Sequence, residues 1–201
     1  MTLVLSSGHT SGSPGAVRGA FFEFNLNLKV AKAIYEELLR RGVPEGGLHG
    51  VVLLDPELSL KDKLKIVHRD YRGPNDVLLE IHHNVFNGKA SGSEMFYNVC
   101  DTEGFAIGSK LLAKVAKTLG LRNRGMKLGF SSARGSLGWT RVPKGSLSHP
   151  LLWEVFFMDN PDDFKAPEMV ALAFCDAVLG PLLSLRSVVR TGEGIKIPKV
   201  S

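Results

Sequence analysis

The stretch Leu3-Val4-Leu5-Ser6-Ser7-Gly8-His9-Thr10-Ser11-Gly12-Ser13-Pro14-Gly15-Ala16, running on to Glu23, decides how this chain is read. A short apolar run gives way to small residues, the pattern of a buried strand ending in a tight loop. The loop delivers His9, and Glu23 stands at the mouth of a helix expected over Asn25 to Arg41. In that helix Val30, Ile34 and Leu38 recur at i+4, Ala31, Tyr35 and Leu39 widen the stripe, and Gly42 supplies the stop. A histidine and a carboxylate at opposite ends of a Gly/Ser/Pro loop look like two arms of a metal site.

The rest of the chain repeats the alternation. Val51 to Leu54 reads as a strand covered on both faces. Ser59 with Asp62 forms a capping box before a helix whose Leu60, Leu64, Val67 and Tyr71 share a face. Val77 to Ile81 is a buried strand that stops at His82, followed by a loop from Asn84 to Ser93 and a strand from Met95 to Val99. A helix over Glu103 to Leu119, a short strand over Met126 to Phe130, a strand over Leu151 to Phe157 and a last helix over Ala166 to Leu185 complete the set. The glycine-rich stretch Ser131 to Ser148 is too long and patternless for filler and reads as a binding loop. The fold class is therefore α/β: one domain over residues 1–185, a mostly parallel twisted sheet with helices on both faces. A basic tail over residues 186–201 follows, with Arg186, Arg190, Lys196 and Lys199.

Composition narrows the partners. With 44% hydrophobic residues among 201, the chain can bury a full core and is not disordered. A net charge of +5 suits an anionic partner: nucleic acid, anionic lipid or a bacterial wall polymer. No nucleic-acid-binding motif is present, and there is neither a G-x-G-x-x-G nor a Walker lysine. No apolar run reaches the roughly 18 residues of a membrane span, and no signal peptide precedes the first strand. Cys100 and Cys175 form no C-x-x-C, which excludes a zinc ribbon, and they read as two buried free thiols.

In an open α/β sheet, ligands bind beyond the carboxyl ends of the strands. His9 and His82 both reach that edge, and Glu23 on the returning helix can join them. Two imidazoles and one carboxylate with a fourth position open form the ligand set of a catalytic zinc. His83 competes with His82 for the metal. Glu154, on a late strand at the same edge, is hard to explain structurally, because burying a bare carboxylate is unfavourable. Its neighbours Trp153, Val155 and Phe156 are expected to desolvate it, which suits a residue that takes a proton from water and returns it to a leaving group.

The motifs Gly8-His9 with Pro14-Gly15-Ala16 and Glu23, then Asp76 through Ile81-His82-His83-Asn84, then Arg124-Gly125-Met126-Lys127, then Pro150-Leu151-Leu152-Trp153-Glu154 with Phe157 and Asn160-Pro161 come in a telling order. The chain resembles, from Leu3 to about Leu185, the zinc-dependent N-acetylmuramoyl-L-alanine amidases of the His-Glu-His type. The resemblance implies that His9, Glu23 and His82 bind zinc and that Glu154 is the catalytic carboxylate. It also implies cleavage of the amide between the lactyl group of N-acetylmuramic acid and L-alanine in peptidoglycan. The family usually has arginine at or beside Asp55 and again where Lys63 stands, departures read here as structural. It usually has serine where this chain has Glu80. By strand alternation Glu80 shares a face with His82 and either accepts a hydrogen bond from that imidazole or pairs with Arg69 or Arg72.

Around this set, His83 is expected to face away from the metal or line the groove, and Asn84 to cap the strand end or touch substrate. Trp139 and Arg141 are candidates for one wall of the glycopeptide groove, with Trp139 as a core anchor the alternative. His49, His68 and His149 are read as surface residues or as lying behind the site. The leading function is a monomeric peptidoglycan amidase of the phage endolysin kind, held in the host cytoplasm until lysis, or a secreted enzyme if the sequence is trimmed. The basic tail would add attraction to anionic wall or membrane phosphates. A zinc carboxypeptidase acting on wall stem peptides and an inert wall-binding or regulatory module are the competing functions.

Overall fold

A computed structural model of the chain describes residues 2–19, 21–47, 49–132, 135–141 and 145–190, with residues 180–190 as backbone alone. The elements in order are β1 (Thr2–Ser7), β2 (Val17–Arg18), β3 (Phe21–Phe22), α1 (Glu23–Arg40), β4 (Val51–Leu53), α2 (Leu60–Asp70), β5 (Asp76–Asn84), β6 (Ser93–Tyr97), α3 (Thr102–Leu119), β7 (Asn123–Leu128), β8 (His149–Phe157) and α4 (Pro167–Arg190). Six strands form one sheet in the order β4-β1-β5-β8-β6-β7, while β2 and β3 pair as a small antiparallel ribbon. Every neighbouring pair in the large sheet is parallel except β6 and β8. The expected α/β class, mostly parallel sheet and covering helices are what the chain adopts.

Two cores separate the faces. On one face Leu3, Leu5, Val77, Leu79, Ile81, Leu151 and Trp153 pack against the apolar stripes of α1, α3 and α4. On the other, Val4, Leu78, Leu152 and Phe96 pack against Val67 of α2 and against Trp139. Period-2 alternation makes this possible: odd and even residues of one buried strand serve opposite layers. The helix ends follow their sequence signals. Ser59 Oγ accepts from the Asp62 N–H at 3.2 Å, and the helix stop after α1 is Gly42, with φ +83°.

Several boundaries differ from the sequence reading. Helix α1 begins at Glu23, two residues early, because the β2–β3 ribbon folds the chain back so that Glu23 N–H meets the Ala16 carbonyl at 2.9 Å. Strand β5 does not stop at His82 but continues to Asn84, since β8 pairs with it across His82↔Glu154 and Asn84↔Phe157. Strand β6 runs Ser93–Tyr97 instead of Met95 to Val99, which brings Ser93 and Glu94 into the sheet. Of the two free cysteines Cys175 is buried but Cys100 is exposed, in the turn before α3. Helix α4 runs past Leu185 to Arg190. Lys196 and Lys199 of the basic tail lie outside the described residues.

Trp139 settles as a core anchor, not a groove wall. It is 2% exposed, and its Nε1–H donates to the Leu78 carbonyl at 3.1 Å. Replacing it with alanine should lower the unfolding free energy by about 3–5 kcal/mol, read by urea denaturation. A loss of ligand affinity with stability unchanged would return Trp139 to the groove.

Candidate metal centre and its acid

Beyond the apolar half just described, the face that α2 covers turns polar. Toward the carboxyl ends of β1, β5 and β8, the positions after Val4, Leu78 and Leu152 on that face are Ser6, Glu80 and Glu154, with His82 and Asn84 continuing β5. The register places His82 directly beside Glu154 and Ser6 beside Glu80. Strand-borne side chains of this kind are fixed by the ladder, so their spacing is rigid.

His9 and Glu23 reach the same edge from the loop and from α1. One Glu23 oxygen lies 3.1 Å from His9 Nε2, and the other lies 2.8 Å from His82 Nδ1. The two imidazole rings meet edge to face with centroids 4.9 Å apart. His9 has φ +68°, a left-handed conformation unusual for a side-chain-bearing residue, which turns its ring back toward Glu23. Glycine is required around it: a Cβ on Gly8 would lie 2.2 Å from the His82 ring, and one on Gly15 would lie 2.5 Å from both Glu23 Oε2 and His9 Nε2.

Glu23 is 1% exposed. Burial opposes its charge, but hydrogen bonds and charge from His82 and His9 outweigh that and hold its carboxyl far below the usual range. The Ala16 N–H also donates to it at 2.9 Å. His82 is likewise shaped by opposing effects. Burial would lower its pKa, yet hydrogen bonds to Glu23 and Glu80, with added charge from Glu80 and Glu154, push it up to about 10. Three carboxylates thus favour positive charge at one point. His9, Glu23 and His82 each offer a ligand atom, all within 4.8 Å of one another. A divalent cation fits such a set, with two imidazoles and a carboxylate as donors.

Glu80 supports the set from behind. Its Oε2 lies 3.3 Å from His82 Nε2, while Oε1 accepts from Ser6 Oγ at 3.4 Å. His82 thus turns Nε2 toward Glu80 and Nδ1 toward Glu23 and the centre of the triad. The alternative pairing with Arg69 is not found, for Arg69 bonds its neighbour Asp70 at the surface. Lys63, read from sequence as merely structural, is 1% exposed, and its Nζ donates to the Ser7 carbonyl at 2.6 Å. Burial lowers its pKa, opposed by the charge of Glu80. Lys63 and Glu80 share, with His9, Thr10, Ser13 and His82, the lining of a cavity of about 300 Å³ beside the triad. A wider groove of about 710 Å³ between α1 and α4 has no histidine in its lining.

The other expected site residues lie outside the triad, and His83 faces the opposite side and Asn84 ends β5 as expected. His83 is buried on the opposite face, edge-on to Phe156 at 4.6 Å, with Nδ1 2.7 Å from Asn27 Oδ1. Burial pushes its pKa down to about 3, and it lines no groove. Asn27, four residues after Glu23 on α1, carries the signal that sequence reading passed over: its Nδ2 holds the Gly8 carbonyl at 3.1 Å and so steadies the His9 loop. Asn84 ends β5 and donates to Glu94 Oε1 at 3.1 Å. Arg141 is exposed and does not line the cavity beside the triad. His149 is buried at the other end of β8 against Asp101, at 2.8 Å. Glu154 itself is partly exposed. One of its carboxylate oxygens is buried, though not by the expected neighbours Trp153, Val155 and Phe156, since all three belong to the core on the opposite face. An extra residue in β8 between Glu154 and Phe157 puts Val155 and Phe156 on that side together.

The profile of a family described as N-acetylmuramoyl-L-alanine amidase matches residues 3–169. The amidase LytC of Bacillus subtilis is 28% identical over 169 residues, which are 81% of this chain and 30% of that protein. The chain therefore spans under a third of the relative's length. Among solved structures, the catalytic domain of the amidase CwlV from Bacillus (Paenibacillus) polymyxa superposes with a TM-score of 0.70 at 22% identity, over 90% of this chain and 97% of that one. The catalytic domain of CD27L, an endolysin targeting Clostridium difficile, gives 0.65 at 24% identity, over 90% and 97%. Both share the fold.

The cradle around the triad yields a direct check. Gly15→Ala should displace Glu23 and His9 and sharply reduce bound metal, read by elemental analysis after dialysis against a divalent cation. Gly12→Ala, whose Cβ meets nothing within 4 Å, should keep it. Equal metal content in both variants would contradict the cradle.

Proposed function

The chain belongs to the N-acetylmuramoyl-L-alanine amidase family, and from that membership and the geometry above we propose that it hydrolyses the amide joining the lactyl group of N-acetylmuramic acid to L-alanine in peptidoglycan. The observation that carries this reading is the register contact between His82 and Glu154, which sets a carboxylate beside the three metal-capable side chains. The donor set suits zinc, which when bound acidifies a water and polarises the scissile carbonyl.

The residues divide the remaining work. His9, Glu23 and His82 hold the cation. Glu154 takes the proton of the attacking water and hands it to the leaving nitrogen, so one carboxylate serves as base and then acid. Glu80 keeps His82 in the tautomer whose Nδ1 faces the metal. We read the enzyme as lytic, a role that its similarity to an endolysin catalytic domain supports. On this reading it is a monomer that waits in the host cytoplasm and acts once the wall is within reach, with the basic residues beyond Leu185 adding attraction to wall or membrane phosphates. No helix among the described residues is long and apolar enough to cross a membrane.

Mass spectrometry of digested cell wall should find free lactyl carboxylates and new L-alanine amino termini. Shortened stem peptides alone would mean a carboxypeptidase instead. Glu154→Gln should lower kcat by about 10²–10⁴-fold while the protein still binds zinc. Chelation should abolish activity and zinc should restore it. A Glu154→Gln variant that clears walls as fast as the parent would remove Glu154 from the mechanism.

A further inference from the structure

On the far side of Glu154 from the triad, the same face of the sheet carries charges that the hydrolytic step does not use. Glu94 on β6 is the register partner of Glu154, and its side chain is 7% exposed. One oxygen accepts from both Arg124 Nε at 2.6 Å and Lys127 Nζ at 2.5 Å, and the other from Asn84 Nδ2. Burial works against its charge, yet the two cations draw its pKa below the ordinary value. Counted against Glu94 alone, to which both are bonded, the two bases leave one positive charge over.

The placement of these bases is as informative as their number. Both come from β7, at the sheet edge. Lys127 is the register partner of Phe96, on the face that carries Glu94. Arg124 lies over the Phe157 ring, 5.0 Å from its centroid, and its Nη1 also reaches the Ser91 carbonyl at 3.4 Å. Their side chains keep 28% and 34% of their surface in solvent, so donors remain open. A buried acid that fixes two partly exposed bases, Arg124 being held also by an aromatic face and a backbone carbonyl, forms a preorganised anion site.

The chemistry gives this site a direction. An acid that protonates a leaving amine must lie on the amine side of the scissile bond, so the peptide leaves the triad over Glu154 and continues toward β6 and β7. We propose that Arg124 and Lys127, positioned by Glu94 and Asn84, bind a carboxylate of the substrate peptide on the amine side of the cleaved amide. The inference rests on the amidase reading. It makes these two bases specificity determinants, while Glu154 remains the catalytic carboxylate.

The test uses the zinc-loaded full chain and two soluble muramoyl-L-alanyl peptides that differ only in the residue after alanine, which carries a free carboxylate or its amide. The parent should favour the acid by about tenfold in kcat/KM, mostly through KM. Arg124→Gln and Lys127→Met should each bring the ratio near one, and Lys127→Arg should preserve it. If Arg124→Gln does not fold, the Lys127 pair of variants carries the comparison alone. Equal rates of the parent on both peptides would overturn the site and leave the amidase reading standing. Equal loss of kcat on both peptides in the variants would also overturn it, since the bases would then serve Glu154. Cleavage of neither peptide by the parent would sink the amidase reading and this site with it.

Discussion

Glu23 is a carboxylate almost without solvent, and it stays charged because two imidazoles and the Ala16 amide surround it. Much of the local architecture exists to bring those partners together. Strand β1 ends early enough for His9 to turn left-handed, and Gly8 and Gly15 remove the side-chain atoms that would collide with the rings. The β2–β3 ribbon and the bond from Phe24 N–H to the Pro14 carbonyl return the chain so that α1 begins at Glu23. There the partial positive charge of the helix N-terminus adds to the stabilisation of the acid. The opposite end of the arrangement is pinned by the sheet, through His82 on β5 and the bond from Gly8 N–H to the Ile81 carbonyl, while Asn27 on α1 holds the Gly8 carbonyl.

The sheet contributes a face divided along its length. Its amino-terminal half is apolar and buried under α2 and Trp139, while its carboxyl-terminal half carries Glu80, His82, Glu154 and Glu94. The apolar half anchors the strands, and the polar half inherits their rigidity. Parallel pairing sets His82 beside Glu154, and the antiparallel turn of β6 sets Glu94 beside Glu154 in the other direction. His82, Glu154, Glu94 and the pair Arg124 and Lys127 therefore follow the strand order β5, β8, β6 and β7.

Much of this was legible in the sequence because buried strands and amphipathic helices announce themselves by period. Leu3-Val4-Leu5, Val77 to Ile81 and the i+4 stripe of α1 need no tertiary information, and with them His9, Glu23 and His82 fall at one edge. What stayed hidden depends on pairing. Nothing local says that β5 continues through two histidines to Asn84, since only the ladder with β8 sustains it. Alternation already turns Trp153 and Val155 away from Glu154, and the extra residue after it, which no residue type marks, adds Phe156 to that side. Glu94 falls between the expected loop and strand, and only pairing with β8 brings it into the sheet. That Lys63 holds the Ser7 carbonyl at the end of β1 is likewise a matter of pairing between elements. Trp139 sat in a glycine-rich stretch that suggested a groove, yet its indole N–H finds a carbonyl inside the core.

The central claim is that His9, Glu23 and His82 hold one divalent cation beside Glu154. Anomalous diffraction at the zinc absorption edge from zinc-loaded crystals tests it most directly. A single strong peak is expected about 2.0–2.2 Å from a nitrogen of each histidine and an oxygen of Glu23, with His82 coordinating through Nδ1 and Glu80 still on its Nε2. A peak at His83 or His149, or a triad that stays empty while zinc binds elsewhere, would contradict it.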